Sequence, residues 1–143
     1  VRLTVRSQAR ASELVEAMDG EPTRRAMYRF FRDAEPSGVD ALLLSLVDGL
    51  AARGPGLDRD RWRRHLALVS TLLYAYYERR REVVEPLPLI DGYELMAALN
   101  LSPGPEVGAL LESIREAQAA GEIHSPAEAL EMARQSLERG GPY

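Results

Sequence analysis

The sequence predicts an all-α fold. Every strongly periodic stretch of the 143 residues repeats its apolar positions at helical spacing, no stretch alternates as a half-buried strand would, and glycine and proline fall between the periodic stretches. The expected architecture is about seven helices in an irregular array, with one long helix at about 58–85.

Taken in order, Val1 to about Ala11 reads as the end of a helix. Pro22, in a first turn, starts a second helix from Thr23 to about Ala34, since proline suits a position whose amide has no partner. Pro36, Ser37 and Gly38 break the chain. Val39, Leu43, Leu46, Val47 and Leu50 then give a third helix with a wide apolar face. It stops near Gly54-Pro55-Gly56, the expected internal boundary. Asp58 can cap the long fourth helix, whose apolar stripe is Trp62, His65, Leu66, Val69, Leu72, Leu73 and Tyr76. Pro86 and Pro88 end it. A short fifth helix begins at Asp91 or Gly92 and carries Leu95, Met96 and Leu99. A sixth follows Pro103-Gly104-Pro105, sets Val107, Leu110, Leu111 and Ile114 on one face, and ends at Gly121. Ser125-Pro126-Ala127-Glu128 has the pattern of a capping-box start for the last helix.

The totals bound what the chain can be. It is long enough to bury a sizeable core without metal or disulfide, and zero cysteines exclude a disulfide framework and thiolate zinc sites. No apolar run approaches the roughly 20 residues that span a bilayer, and Val1-Arg2-Leu3-Thr4-Val5-Arg6 lacks a signal-peptide core, so a soluble protein without a membrane partner is expected. A start at Val1 without Met predicts a fragment of a longer product. With a net charge of −4, any polyanion contact must come from local patches. All 18 basic residues are arginine, a bias that genome composition explains as well as phosphate binding does.

Catalytic signatures are absent from the sequence: it has no nucleophile elbow, no GxxxxGK[ST] loop and no dinucleotide fingerprint. No catalytic or metal-binding residue is assigned. His65, on the apolar stripe, is expected to be a packed histidine hydrogen-bonded to a neighbour. His124 precedes a helix start and faces either water or a phosphate. Asp58 and Asp60 have the spacing of a carboxylate pair, but capping explains them better.

Three features suit a polyanion. Arg25, Arg29 and Arg32 share one side of the second helix, with Arg24 beside them. Arg59, Arg61, Arg63 and Arg64 crowd the first turn of the long helix, and Arg79, Arg80 and Arg81 its last turns, beside Tyr74, Tyr76 and Tyr77. Arginine with tyrosine fits RNA, because guanidinium pairs with phosphate and either group stacks on a base. A solvated helix end balanced by Glu78, Glu82 and Glu85 is the alternative. Third, Gly104 opens a helix whose free amides favour an anion, with Glu106 and Gly108 in the same turn. Close packing of a neighbouring helix explains Gly108 equally well. The candidate RNA-binding residues are therefore Arg59, Arg63, Arg64, Arg79, Arg80, Arg81, Gly104, Glu106 and Gly108.

The run Asp91-Gly92-Tyr93-Glu94-Leu95-Met96, Leu99, Pro103-Gly104-Pro105-Glu106-Val107-Gly108, Leu111 and Gly121-Glu122-Ile123 resembles the tRNA-binding region of bacterial CCA-adding enzymes and the poly(A) polymerases of that superfamily. The likeness covers about the last third of the chain, with matching order and spacing. A weaker likeness, Thr23 to Arg32 followed by Leu42 to Asp48, is to the end of an HD-type helical domain. In that family the final Asp, here Asp48, completes a metal site whose other ligands lie upstream, and Asp48 is a weak remnant candidate.

The resemblance divides the chain into 1–56, an HD-type remnant, and 57–143, a tRNA-binding region. It implies a cytoplasmic RNA-holding part whose partners are tRNA or another RNA and a catalytic head outside this chain. No cofactor is expected here, whereas the head would need Mg2+ and nucleoside triphosphates. The alternative is a degenerate HD-type phosphohydrolase regulatory module with a helical interaction platform.

Overall fold

A computed structural model describes residues 21–51, 56 and 58–140. The helix expected at Val1 to Ala11 and most of the Gly54-Pro55-Gly56 break lie outside them. Among the described residues there are six α-helices, one π-helical turn and no strand.

Local chemistry accounts for the helix starts. α1 (Arg24–Ala34) begins where the Thr23 hydroxyl accepts from the Ala26 amide at 3.1 Å, so Pro22 precedes the cap rather than entering the helix. α2 spans Gly38–Ala51. α3 (Arg59–Glu78) starts at Asp58, whose carboxylate accepts from the amides of Asp60 at 3.0 Å and Arg61 at 3.1 Å. α4 (Gly92–Leu99) has a full capping box between Asp91 and Glu94, and Asn100 closes it in the left-handed region. α5 (Pro105–Ala120) ends at Gly121, whose φ of 81° favours glycine. α6 (Pro126–Glu138) is capped by Ser125, and Glu128 reaches back to the His124 amide at 2.6 Å.

The long helix expected at 58–85 is divided. α3 stops at Glu78, Arg79 leaves helical geometry at φ −123° and ψ 25°, and Arg80–Val84 forms the π-helical turn. That wider turn closes with the Glu85 amide on the Arg80 carbonyl at 2.7 Å, and Val83 within it is fully buried.

Two apolar clusters form the core. In the first, Phe30, Leu42, Leu72 and Val83 have no exposed surface, each burial stabilising by about 1.5–3 kcal/mol. This cluster joins α1 and α2 to α3 across residue 56. The second gathers Leu95, Leu110, Ile114 and Ala129 from α4, α5 and α6. In sequence the connector 85–89 separates the clusters, with the Gln118 amide donating to the Leu87 carbonyl at 2.7 Å, and in space they meet where α1 packs on α5.

α2 differs from expectation in which face it buries. Gly38, Ala41, Leu42 and Ser45 pack inward, while Leu43, Val47 and Leu50 are about half exposed. Val39, Leu43, Leu46, Val47 and Leu50 lie within about 100° of one another, and the fold buries the side opposite them, where the small residues allow the closer approach. At Gly49 an added Cβ would lie 2.8 Å from the Trp62 ring, so α2 and α3 cross too tightly there for a side chain. Among the described residues no helix is long and apolar enough to cross a membrane.

Candidate nucleic-acid interface

The arginines of α1 lie along its contact with α5. Arg25 pairs with Glu122 at 2.7 Å and with Glu116 at 3.4 Å, Arg29 pairs with Glu116, and Arg32 meets Glu112 at 3.0 Å and Glu116 at 3.5 Å. Glu116 sits in the middle of this ladder with its side chain 14% exposed. The hydrogen bond from Arg29 holds its carboxyl below the usual carboxylate range. Burial, then the charge of Glu112, raises the Tyr28 phenol, which donates to Glu112 at 3.0 Å. Arg24 donates from Nε to the Ala119 carbonyl at 3.1 Å, a cation at the negative end of α5. The row expected to meet a polyanion is thus engaged with carboxylates of the same chain, although Arg29 keeps 55% of its side chain exposed.

The outer side of α3 has a different character. Arg59, Arg63, Ser70, Tyr74 and Tyr77 are all exposed, and at about 100° per residue they fall within about 60° of one another. Ala67 lies beside them and Arg81 follows in the π-helical turn, also exposed. The stripe is about 30 Å long at 1.5 Å per residue. Its opposite face buries Leu68, Val69, Leu72 and Ala75. Tyr74 and Tyr77 are 61% and 66% exposed, too much for ordinary core aromatics. Arg63 meets only Asp60, at 3.5 Å with both side chains more than three-quarters exposed, a pair that binds its partner weakly.

The remaining candidates divide. Arg64 is exposed but lies to one side of the stripe. Arg79 donates to Glu82 from Nε at 3.1 Å and Nη2 at 2.9 Å. Arg80 pairs with Glu85 at 3.0 Å and lies over the Tyr76 ring at 4.9 Å. Of the three arginines that end the long helical stretch, Arg81 alone carries no partner among the described residues. The three are consecutive, and at about 100° per residue they point in different directions.

At the start of α5, Gly104 is extended, with φ 175° and ψ 178°, and no side chain caps the helix. A Cβ on Gly108 would meet nothing within 4 Å, so helix packing among the described residues does not explain this glycine. Glu106 is exposed in the first turn and already complements the helix dipole. Sequence reasoning passed over Tyr93 as a site residue, yet it is 82% exposed and stands next to Gly92, which packs toward Leu111 and Val107. Its place beside a helix cap was the available signal.

His65 is packed, as expected: its Nε2 lies 3.1 Å from the Ser45 hydroxyl, and its ring is 5.7 Å from Trp62. Ser45 donates to the Leu42 carbonyl, so its oxygen is left to accept from His65. His124 is exposed. Asp48 is exposed on α2, and among the described residues no three His, Cys, Asp or Glu side chains gather into a metal site.

Over 126 residues, 84% of this chain, the sequence is 37% identical to an A-adding tRNA nucleotidyltransferase of Deinococcus radiodurans. The chain is a relative of the tRNA nucleotidyltransferases. Similarity extends to CC-adding tRNA nucleotidyltransferases of Thermus thermophilus, 36% identical over 74% of the chain, and of Geobacter sulfurreducens, 35% identical over 76%. The matches cover 27%, 22% and 22% of those enzymes, so the chain spans about a quarter of the length of the curated tRNA nucleotidyltransferases it matches. No protein-family profile matches the sequence, and no solved structure matches it.

Proposed function

We propose that this chain is the C-terminal, RNA-holding region of a tRNA nucleotidyltransferase or a poly(A) polymerase-like relative. The observation that carries the proposal is the outer stripe of α3, where arginines stand at both ends of two exposed tyrosines. Arg59, Arg63 and Arg81 would pair with phosphates, and Tyr74 and Tyr77 would stack on sugars or exposed bases. Arg64 flanks the stripe, and the uncapped amides at Gly104 offer a second phosphate contact beside Gly108. Such contacts fix register without reading sequence.

In this reading the RNA body is held so that its 3′ end reaches a catalytic head outside this chain. The head supplies nucleotidyl transfer and takes the Mg2+ and nucleoside triphosphates. The described residues bring no carboxylate cluster together that fits such a metal. Residues 1–56 would be an HD-type remnant and 57–143 the tRNA-binding region, a division of lineage, since α1, α2 and α3 share one core. A cytoplasmic location follows from tRNA processing.

Titration of the chain with labelled tRNA at several salt concentrations tests this. Binding should weaken with a log-log slope of about 0.9 for each phosphate neutralised. Absence of binding at low salt, or binding indifferent to salt, would refute the proposal.

A further inference from the structure

Beside the stripe, a cleft of about 160 Å³ opens between the end of α1 and the π-helical turn. Phe31, Tyr76 and Pro36 supply apolar walls, and Arg32, Arg80, Glu35 and Glu85 supply charged groups. Resting on the RNA-holding role proposed above, we infer that this cleft receives one unstacked base of a strand that lies along α3.

The chemistry of the cleft selects a base over other occupants. A phosphate is disfavoured, because Arg80 is already paired with Glu85 at 3.0 Å and Arg32 with Asp33 at 2.9 Å and Glu112 at 3.0 Å, and Glu35 adds another negative charge. An aliphatic group would strip water from ionised side chains and return nothing. The Tyr76 and Phe31 rings already touch, with centroids 5.3 Å apart, and Arg80 lies over Tyr76 at 4.9 Å, so the plane open to a base is the outer face of the Arg80 guanidinium. Amino or imino N–H groups at the edge of the base would meet Glu35 and Glu85.

The cleft is also continuous with the stripe. The Tyr76 and Tyr77 rings meet edge to face at 5.1 Å, one lining the cleft and the other on the outer face of α3. Arg80, at the cleft, directly precedes Arg81, at the end of the stripe. A backbone held by Arg81 and Tyr77 therefore passes the mouth of the cleft, within reach of a splayed base.

The test uses two labelled ribose-phosphate strands, one abasic except for a single central adenine and one abasic throughout, titrated into the whole 143-residue chain. A base stacked on a side-chain plane is worth roughly tenfold in affinity, so the adenine strand should bind about tenfold tighter. In Tyr76→Leu, which removes the ring that backs Arg80, that ratio should fall to about one. Tyr76 also packs on the core, so the paired exposed changes Glu35→Ala and Glu85→Ala serve as the second variant, with the ratio expected at about threefold or less. Simple electrostatics predicts the contrary for this variant, tighter binding of both strands with an unchanged ratio. A ratio near one in the unaltered chain, with salt-dependent binding retained, overturns the cleft and leaves the RNA-holding role standing. A tenfold ratio that survives in both variants places the base elsewhere, on Tyr74 or Tyr77, and also overturns it. Failure of the chain to bind either strand or tRNA at low salt overturns both proposals.

Discussion

On α1, Arg25, Arg29 and Arg32 lie against α5 and meet Glu112, Glu116 and Glu122, whereas on α3 Arg59 and Arg63 stand exposed in line with Tyr74 and Tyr77. Both rows have helical spacing and the same residue type. What separates them is the facing element. α5 presents a carboxylate column opposite α1, and nothing among the described residues covers the outer side of α3. An arginine row therefore acquires its role from its neighbours: opposite glutamates it joins two helices, and without them it keeps its charge for a ligand.

The comparison breaks first at the tyrosines. Replacing Tyr74 and Tyr77 together with alanine should weaken tRNA binding by about 2 kcal/mol or more, at about 1–3 kcal/mol per stacked group. Stability should stay within about 0.5 kcal/mol in urea denaturation, since both side chains are exposed. Loss of folding with unchanged binding would reverse the assignment of the two rows.

On the other row, Glu116→Ala should lower unfolding stability by about 1–2 kcal/mol, because it leaves Arg25, Arg29 and Arg32 facing one another across a half-buried gap. RNA affinity should not fall, and chemical denaturation beside a binding titration separates the two effects. Smaller again, Arg59→Gln and Arg63→Gln should each reduce the salt slope of tRNA binding by about one, while Arg29→Gln leaves it unchanged.

The smallest effect concerns pH. The Glu116 carboxyl titrates lower in the folded chain than its ordinary value of 4.5, so its contribution is fully present above that value and lost as pH falls through the folded range. Denaturation midpoints measured from neutral pH downward should decline less steeply in Glu116→Gln than in the unaltered chain. The outward row should contribute little to this acid limb.

Legibility from sequence followed the range of the interactions. Helix starts at Asp58, Asp91 and Ser125, and the stop at Gly121, were readable because a cap is made within three or four residues. The packed role of His65 was readable from its place on an apolar stripe. The buried face of α2 was not, because Val39, Leu43, Leu46, Val47 and Leu50 mark one side, whereas the close crossing with α3 at Gly49 selects the small residues of the other. Nor was the division of the long helix at Arg79, where burial of Val83 in the first cluster accompanies a turn that local propensity does not favour.

The candidate site shows the same split. Arg59, Arg63 and Arg81 with Tyr74 and Tyr77 could be gathered from spacing alone, because one helix and its continuation present them. Setting Arg79 and Arg80 aside required the carboxylates of Glu82 and Glu85 in place, and setting the α1 row aside required α5, 80 to 97 residues away. By itself the sequence determined an all-α chain, the ends of most helices, and its kinship with the tRNA nucleotidyltransferases. Only the tertiary structure decided which arginines are held by carboxylates, because that depends on whether another element brings one within a few ångströms, and no local pattern records which helix a face will meet.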